Sequence, residues 1–345
     1  MLVKQHYGDP IIEQRKLSEG EALCILDAQG VIAVSGVDRL TWLHSLLSQN
    51  LKNLAAGEST EALLLDPQGR IEQIIKVIED GETTWLLVDK VHTQALLSWL
   101  QKMVFRMQVE ITDQSAKFAT VGATKVFPEI AFVSSGHSLI WKDKWPGVVD
   151  GGYRYSTRSV NHSWFEHLAE VANLSQLLAG KSLAGTMAAD GLRVAAGRPK
   201  AINEVDEKSL PHELDLLSTA VHLSKGCYRG QESVAKVHNL GHPPRRLTFL
   251  HLDGSEHALP DVGDEIRVLG EEKLRGKITS VAQHFDMGPI ALALISRSVP
   301  EDSELEVVGK NGSIAATQEV IVPQLAGSVA NIPKLPKLNL GAKGK

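Results

Sequence analysis

The 345-residue chain is predicted to have an α+β fold that ends in a small antiparallel β-barrel. Up to about residue 242, predicted strands and helices follow one another without the strict β–α–β alternation of a doubly wound fold. From Arg246 to Pro323 the chain becomes a series of short strands separated by glycine-containing turns, which is typical of a barrel. With 43% hydrophobic and 22% charged residues, a chain of this length can bury large cores without disulfides.

The N-terminal part is predicted to alternate strands with helices. Its first strand is Val31–Ser35, and a helix follows, because Asp38 is a good N-cap and leucines recur at helical spacing. These leucines are Leu40, Leu43, Leu47 and Leu51. The next strands, separated by turns, are Leu63–Leu65, Ile71–Ile78 and Thr83–Val88. Asp89 is then placed to begin a second helix.

Three further helices are predicted in the middle of the chain. An apolar stripe predicts an amphipathic helix over Trp164–Leu178. A second helix covers Met187–Ala196 and ends at Gly197. Ser209 is expected to cap a third helix that has Pro211 in its first turn.

The C-terminal strands complete the predicted domain organisation. They are Leu247–Leu252, Ile266–Leu269, Lys277–Gln283, Ile290–Ile295, Leu305–Val308 and Ala315–Val322. We expect one ligand-binding region in two parts, at residues 1–105 and 106–242, a barrel at 243–325 and a flexible tail at 326–345. The tail is expected to be flexible because residues 327–345 contain four lysines, two prolines and no acidic residue.

Composition excludes several classes of protein. The formal net charge of -5 argues against a generally basic nucleic-acid binder. Two cysteines cannot form a disulfide framework or supply four thiolates to a cluster or zinc ion, and no metal site is expected. The common phosphate-loop, dinucleotide-binding, metalloprotease and nucleophile-elbow motifs are absent. Without a long apolar run or an apolar signal core, the chain is expected to be cytoplasmic and to have no membrane partner.

The most unusual string is Lys225–Glu232, with the sequence KGCYRGQE. Cys227 has a basic residue on either side, Lys225 and Arg229, and positive neighbours lower the pKa of a thiol. The string therefore predicts either thiolate chemistry or a tight turn in which the cysteine merely packs. Cys24, within an apolar stretch, is expected to be an inert core thiol.

Other residues of this string suit contact with a ligand. Gly226 and Gly230 would allow a positive φ or a close approach of the backbone. Gln231 and Glu232 offer directional acceptors, and Gln231 also offers amide donors.

Three weaker candidates lie outside this string. Arg193 and Arg198 have guanidinium groups suited to a ligand carboxylate, although a solvated helix face is the simpler interpretation. The stretch 206–213 contains acidic residues that could bind a heterocyclic ligand. The simpler interpretation is that it only forms the capped start of a helix. The pair Arg245 and Arg246 is interpreted as solvated.

The string 225–235 and the following Arg245–Leu247 resemble the YgfZ folate-binding proteins. That family is related to the glycine-cleavage T-protein, a tetrahydrofolate-dependent aminomethyltransferase. The resemblance extends over roughly residues 20–325. Its supporting stretches are Leu65–Arg70, Gly191–Arg193, Leu210–Leu214, Gly263–Ile266, Gly276–Val281 and Ile290–Ile295.

This resemblance implies a three-domain cloverleaf around a central opening that binds tetrahydrofolate or a one-carbon derivative. It also implies a role in making or maintaining iron–sulfur enzymes, including tRNA-modifying ones, with those enzymes or cluster-assembly proteins as partners. Lys225 and Cys227 would lie at the reactive end of the folate as catalytic residues. The implied folate contacts are Arg193, Glu213, Tyr228, Gln231, Glu232 and Arg245.

The sequence departs from the T-protein at one position of its early hairpin. Gln73 and Ile74 replace an acidic pair that supports aminomethyl transfer, and Glu72 would point to the opposite face of the strand from Gln73. We therefore expect an accessory protein rather than an aminomethyltransferase of the T-protein kind. Tetrahydrofolate-dependent aminomethyl transfer stays the alternative. A tRNA-binding module is the third interpretation, which the negative net charge opposes.

Overall fold

The computed structural model describes residues 3–26, 29–255, 259–310 and 312–330. These residues form two five-stranded sheets and a closed six-stranded barrel, together with a two-stranded hairpin of Val133–Ser134 and His137–Ser138. The predicted α+β class with a C-terminal antiparallel barrel is confirmed. No helix within the described ranges has the length and hydropathy that crossing a bilayer requires.

The N-terminal sheet is antiparallel throughout. In spatial order its strands are Ser59–Leu65, Ile71–Glu79, Thr83–Asp89, Gln29–Ser35 and Glu110–Asp113. One face is covered by the helices Arg39–Leu46 and Thr93–Lys102, the second preceded by a short 3-10 helix, Lys90–His92. The predicted leucines Leu43 and Leu47 are fully buried in that layer.

The central sheet mixes strands from both sides of residue 105. In spatial order they are Ile140–Lys142, Phe165–Glu170, Phe118–Ala123, Ala22–Leu26 and Ser182–Ala184. The strands Ala22–Leu26 and Ser182–Ala184 are parallel, whereas the other neighbouring strands of this sheet are antiparallel. The remaining helices are Pro10–Ser18, Leu174–Leu177, Thr186–Ala195, Ala201–Glu204, Gln231–Leu240 and the 3-10 turn Pro211–Leu214.

The two sheets pack face to face around a shared apolar layer. Cys24 and Leu168 contribute from the central sheet, and Val31 and Trp85 contribute from the N-terminal sheet. Burial raises the pKa of Cys24 to about 12, as expected for an inert core thiol.

The barrel is closed by pairing of its first and last strands. Its strands are Arg245–Leu252, Glu265–Val268, Leu274–His284, Gly288–Ser296, Leu305–Gly309 and Gly312–Val320. Side chains alternate along the first strand, so Leu250 faces the barrel core while Phe249 packs in the core shared with the rest of the chain. All six predicted strands are present.

Two predicted helices are wrong. Residues Phe165–Glu170 form a strand, because apolar layers cover both of its faces, and alternate side chains enter different layers. After Ser209 the chain makes only the 3-10 turn Pro211–Leu214, whose continuation is stopped at Asp215 in the left-handed region. The predicted helix over Met187–Ala196 is confirmed as Thr186–Ala195.

The predicted domain boundaries stay predictions, although each five-stranded sheet contains strands from both sides of the boundary at residue 105. Residues 331–345 of the predicted tail lie outside the described residues. Its described start is held by hydrogen bonds from the backbone N–H of Val329 to His238 and of Ala330 to Asn239, at 2.9 and 3.2 Å.

Asp215 carries a buried carboxyl group at the end of the 3-10 turn. Its Oδ1 accepts the backbone N–H of Tyr155 at 2.8 Å, and its Oδ2 lies 3.6 Å from Nε of Arg154. Burial nevertheless raises the pKa of Asp215 from 3.8 to about 7. Between these pH values the folded chain binds more protons than the unfolded chain, so this group makes stability fall as pH rises.

Replacing the carboxyl with an amide tests this account. Asp215→Asn keeps an oxygen for the N–H of Tyr155, tolerates the left-handed backbone and removes the buried charge. We expect the free energy of unfolding at pH 8 to rise by about 1 kcal/mol, and its dependence on pH between 5 and 7 to flatten. Urea denaturation at pH 5, 7 and 8 measures both the free energy of unfolding and its pH dependence. Asp302→Asn, at an exposed position, is the control. A less stable variant at pH 8 would contradict the assignment.

Candidate functional site

A cavity of about 310 Å³ lies between the two sheets. This volume is at the lower end of small-molecule sites. Ile74 and Lys76 line it from the N-terminal sheet, and Trp141 and Glu166 line it from the central sheet. The helix Thr186–Ala195 closes one side with residues spaced along a single helical face. These are Thr186, Ala189, Asp190 and Arg193.

Glu166 is a buried carboxylate with every acceptor position used. Lys76 Nζ lies 2.6 Å from its Oε1 and 2.7 Å from its Oε2. Trp164 Nε1 donates to Oε1 at 3.0 Å, and Gln29 Nε2 donates to Oε2 at 2.8 Å. The carboxylate is therefore neutralised and held in one orientation.

Arg198 forms a second buried ionic group in the wall of the cavity. Its Nε donates to Asp143 Oδ2 at 3.0 Å, and its Nη2 is paired with Glu61. Burial alone would raise the pKa of Asp143, but the Arg198 charge, the His162 side chain and the backbone N–H of Trp145 together hold that pKa well below its usual range. The guanidinium also lies 5.1 Å from the centre of the Trp145 ring, so it is fixed on several sides.

Two buried polar atoms of the lining residues have no hydrogen-bond partner within the described ranges. They are an acceptor, Gln29 Oε1, and a donor, Arg198 Nη1. Both atoms are closed to solvent, and a buried unpaired polar atom costs free energy. The cavity adjoins an open groove of about 1110 Å³, with which it shares Asp143, His162 and Trp164.

Lys225 does not line this cavity. Its ammonium donates to the backbone carbonyls of Leu47 and Gln49 at 2.6 and 3.0 Å, and also to that of His44. These carbonyls lie at and beyond the end of the helix Arg39–Leu46, so Lys225 closes that helix end. Burial lowers the pKa of Lys225 to about 8.

Cys227 is exposed and lies outside the cavity wall. Both predicted cationic neighbours point elsewhere, since Arg229 pairs with Glu72 at 2.8 Å and Lys225 is bound to carbonyls. Lys225 and Cys227 are therefore not among the residues that line this cavity, and their role toward a folate stays a prediction. For Lys225, the physical reason is that the buried carbonyls of the helix end attract the ammonium away from the surface.

Only one of the two glycines of the string needs to be glycine. Gly230 has φ +83°, and an added Cβ would lie 2.5 Å from the carbonyl oxygen of Asp66. Gly226 has no such restriction, because nothing lies within 4 Å of an added Cβ. The close approach therefore serves packing of the hairpin turn against the start of the helix Gln231–Leu240.

The predicted folate contacts are dispersed. Arg193 alone among them lines the cavity, and Asp190, Ser280 and Glu204 hold its guanidinium. Arg245 instead pairs with Asp206 and with the fully buried Glu213, outside the cavity.

The other three predicted contacts belong to the motif itself. Tyr228 is buried in the core, with its ring centre 5.1 Å from Lys225 Nζ. Gln231 donates to the carbonyl of Lys225 at 3.2 Å, and Glu232 lies exposed in the first turn of its helix.

The sequence analysis missed most of the cavity. Gln29, Lys76, Trp141 and Glu166 lie far apart in the chain, on different strands, so no spacing relates them. One available signal was the occurrence of three of the six tryptophans within residues 141–164. Ile74, one of the two residues at the predicted departure from the T-protein, lines the cavity with an apolar side chain.

Comparison with known proteins shows what this chain is similar to. It is 27% identical over 293 residues to the tRNA-modifying protein YgfZ of Edwardsiella ictaluri, covering 80% of this chain and 85% of that protein. It is 28% identical over 310 residues to an aminomethyltransferase of Rippkaea orientalis, covering 82% and 81%. No protein-family model matches the chain.

Two other relatives are longer than the matched region. The chain is 27% identical over 259 residues to the iron–sulfur cluster assembly factor IBA57 homolog of Mycosarcoma maydis. The match covers 68% of this chain and 58% of that protein. It covers 76% of this chain and 63% of a chloroplastic protein of Arabidopsis thaliana, with 26% identity.

A solved structure has the same fold. The glycine cleavage system aminomethyltransferase T from Bartonella henselae matches with a TM-score of 0.70 and 17% identity, covering 93% of this chain and 89% of that one. The predicted relationship to the YgfZ proteins and the glycine-cleavage aminomethyltransferases is therefore confirmed.

Lys225→Met tests the structural role of the ammonium. The variant leaves three backbone carbonyls without their donor, so we expect the free energy of unfolding to fall by about 2 kcal/mol. Urea denaturation at pH 7 measures the change. Lys236→Met, an exposed lysine on the following helix, is the matched control. Equal effects of the two substitutions would show that Lys225 does not hold the helix end.

Proposed function

We propose that the chain binds a reduced folate in the cavity between its two sheets and acts as an accessory protein for iron–sulfur enzymes. The observation that carries the first part is the cavity itself, whose walls combine the tryptophans Trp141 and Trp164 with acidic and basic side chains. The second part is supported by relatives named for iron–sulfur cluster assembly and tRNA modification.

The lining residues suit the pterin ring of a folate. Its 2-amino-4-oxopyrimidine ring is planar and offers N–H donors and an oxygen acceptor, which suit a wall that contains both acidic and basic side chains. Trp141 and Trp164 supply aromatic surface for a flat ring. When bound, tetrahydrofolate would supply the capacity to carry a one-carbon unit. The residues of this chain would bind it, orient it and exclude water.

The exposed thiol suits contact with another molecule. Cys24 is buried, so Cys227 is the cysteine available to a partner. Because the thiol lies outside the cavity, we propose that it acts toward an iron–sulfur enzyme or a cluster-assembly protein, where a single thiolate could complete a shared site. A cytoplasmic location stays part of this proposal.

Aminomethyl transfer is the second candidate, favoured by the aminomethyltransferase relative. The apolar Ile74 opposes it, because it cannot stabilise positive charge that develops on the transferred group. Formation of methylene-tetrahydrofolate from a lipoyl-bound aminomethyl donor distinguishes the two. Turnover of about 1 s⁻¹ or more would favour the transferase.

Folate binding is tested by calorimetry with tetrahydrofolate under anaerobic conditions. We expect a single site, and a ligand concentration 100 times Kd should raise the free energy of unfolding by about 2.7 kcal/mol. Cys227→Ala is expected to bind equally well, because the thiol is outside the cavity. An absence of heat and of thermal stabilisation at high micromolar ligand would reject folate binding.

The role of the thiol is tested in cells that lack the chain and show reduced activity of an iron–sulfur enzyme. Cys227→Ala should fold normally and fail to restore that activity. Cys24→Ala is the control, since the loss of a buried thiol should lower stability without removing the function. Full restoration by Cys227→Ala would show that the thiol is not required and that the motif has only a structural role.

A further inference from the structure

We propose that Lys200 binds the carboxylate tail of the folate at the rim of the cavity between the two sheets. This role rests on the proposed folate site and concerns the end of the ligand that carries negative charge. Lys200 lines the cavity and is half-buried, so its side chain is accessible to a ligand. It directly follows Arg198 and Pro199, which are both buried.

The backbone of Lys200 is fixed at the cavity wall. Its N–H donates to Oε2 of Glu204 at 2.8 Å. The carboxylate of Glu204 is buried and is itself held, because Ser280 Oγ donates to its Oε1 at 2.5 Å and Arg193 Nη1 lies 3.3 Å from its Oε2. The Lys200 side chain therefore extends from an anchored position into the space beside the cavity wall.

The positive charge of Lys200 acts on the interior of the molecule. Burial raises the pKa of Cys24, nearby acidic residues raise it further, and the charge of Lys200 lowers it. Cys24 is fully buried in the layer between the two sheets. A charge that extended into bulk water would be screened from such a group. The ammonium is therefore directed toward the cavity side of its backbone.

The other lysine and arginine side chains of the wall already have acidic partners. These are Lys76 with Glu166, Arg193 with Asp190 and Glu204, and Arg198 with Asp143 and Glu61. In the part of the chain that the structure describes, the Lys200 ammonium has neither an ion pair nor a hydrogen bond. An ammonium offers three donors and no acceptor, so Lys200 is available to bind an anionic group.

Asp89 and Asp190 lie in the same wall but do not neutralise Lys200. Asp89 Oδ2 accepts the backbone N–H of Ile202 at 3.1 Å, and Asp190 Oδ1 lies 3.1 Å from Nε of Arg193. Both carboxylates repel a second carboxylate, whereas Lys200 would form a charge-assisted hydrogen bond with it. The rim therefore favours an anionic group beside Lys200 over the other positions.

The two ends of a folate match the two ends of the cavity. Trp141 and Trp164 are buried and supply the aromatic surface proposed for the ring, whereas Lys200 is half-buried at the rim. A folate carries its ring at one end and its carboxylates at the other. A ring against the tryptophans would therefore direct the carboxylates toward the rim and Lys200.

Lys200→Met tests this role by calorimetry with two ligands. One is tetrahydrofolate, and the other is 6-methyltetrahydropterin, which keeps the reduced ring and lacks the tail. We expect the variant to bind tetrahydrofolate about fivefold more weakly, because the ion pair at the rim is lost. Its affinity for the tailless pterin should equal that of the unmodified chain. Lys208→Met, an exposed lysine outside the cavity wall, is the matched control.

The possible outcomes separate this role from the proposed function. Unchanged tetrahydrofolate affinity in Lys200→Met would overturn the assignment of Lys200 and leave folate binding intact. An equal loss for both ligands would also overturn it, because the lysine would then act on the ring or on the structure. If the unmodified chain does not bind tetrahydrofolate, the proposed function fails, and the role of Lys200 fails with it.

Salt dependence provides a second test that uses tetrahydrofolate alone. Raising the salt concentration should weaken binding to the unmodified chain more than binding to Lys200→Met, since salt screens an ion pair at a half-buried rim. Lys200→Arg keeps the positive charge and should retain most of the affinity and the salt dependence. The same salt dependence in the unmodified chain and in Lys200→Met would contradict the proposal.

Discussion

Burial of charged groups between two sheets is the constraint on which the rest of this structure depends. Lys76 with Glu166, and Arg198 with Asp143 and Glu61, place ionic groups where apolar residues would ordinarily fill the space. Such groups are costly to bury, and each of these charges faces an opposite charge. The residues of both arrangements line one cavity. This polar cavity lies beside the apolar layer around Cys24 and Trp85.

The thiol of the motif and the cavity are separate but share one core. Tyr228 and Val234, from the motif and its helix, pack with Ile71, and Ile74 packs against the same cluster while lining the cavity. Lys225 ties the motif to the end of the helix Arg39–Leu46. The motif and the wall of the cavity are therefore parts of one packed core.

The barrel is attached by apolar packing and by a buried ionic contact. Arg245 is the first residue of the first barrel strand and pairs with Glu213, which is fully buried within the 3-10 turn. Arg158, in the long irregular segment between two strands of the central sheet, pairs with Glu319 of the last barrel strand at 2.6 Å. The barrel thus stabilises the body that contains the cavity without lining the cavity itself.

The sequence alone determined the fold class, the barrel strands and the helix after Gly185. Each depends on local periodicity, on turn residues or on a contiguous motif, all of which are readable along the chain. The tertiary structure decided that Phe165–Glu170 is a strand, because burial on both faces overrides an apparent helical stripe. It also decided that Lys225 binds carbonyls, and that Gln29, Lys76 and Glu166 meet in one cavity. These pairings join residues far apart in sequence, and their energies depend on burial, which no local pattern specifies.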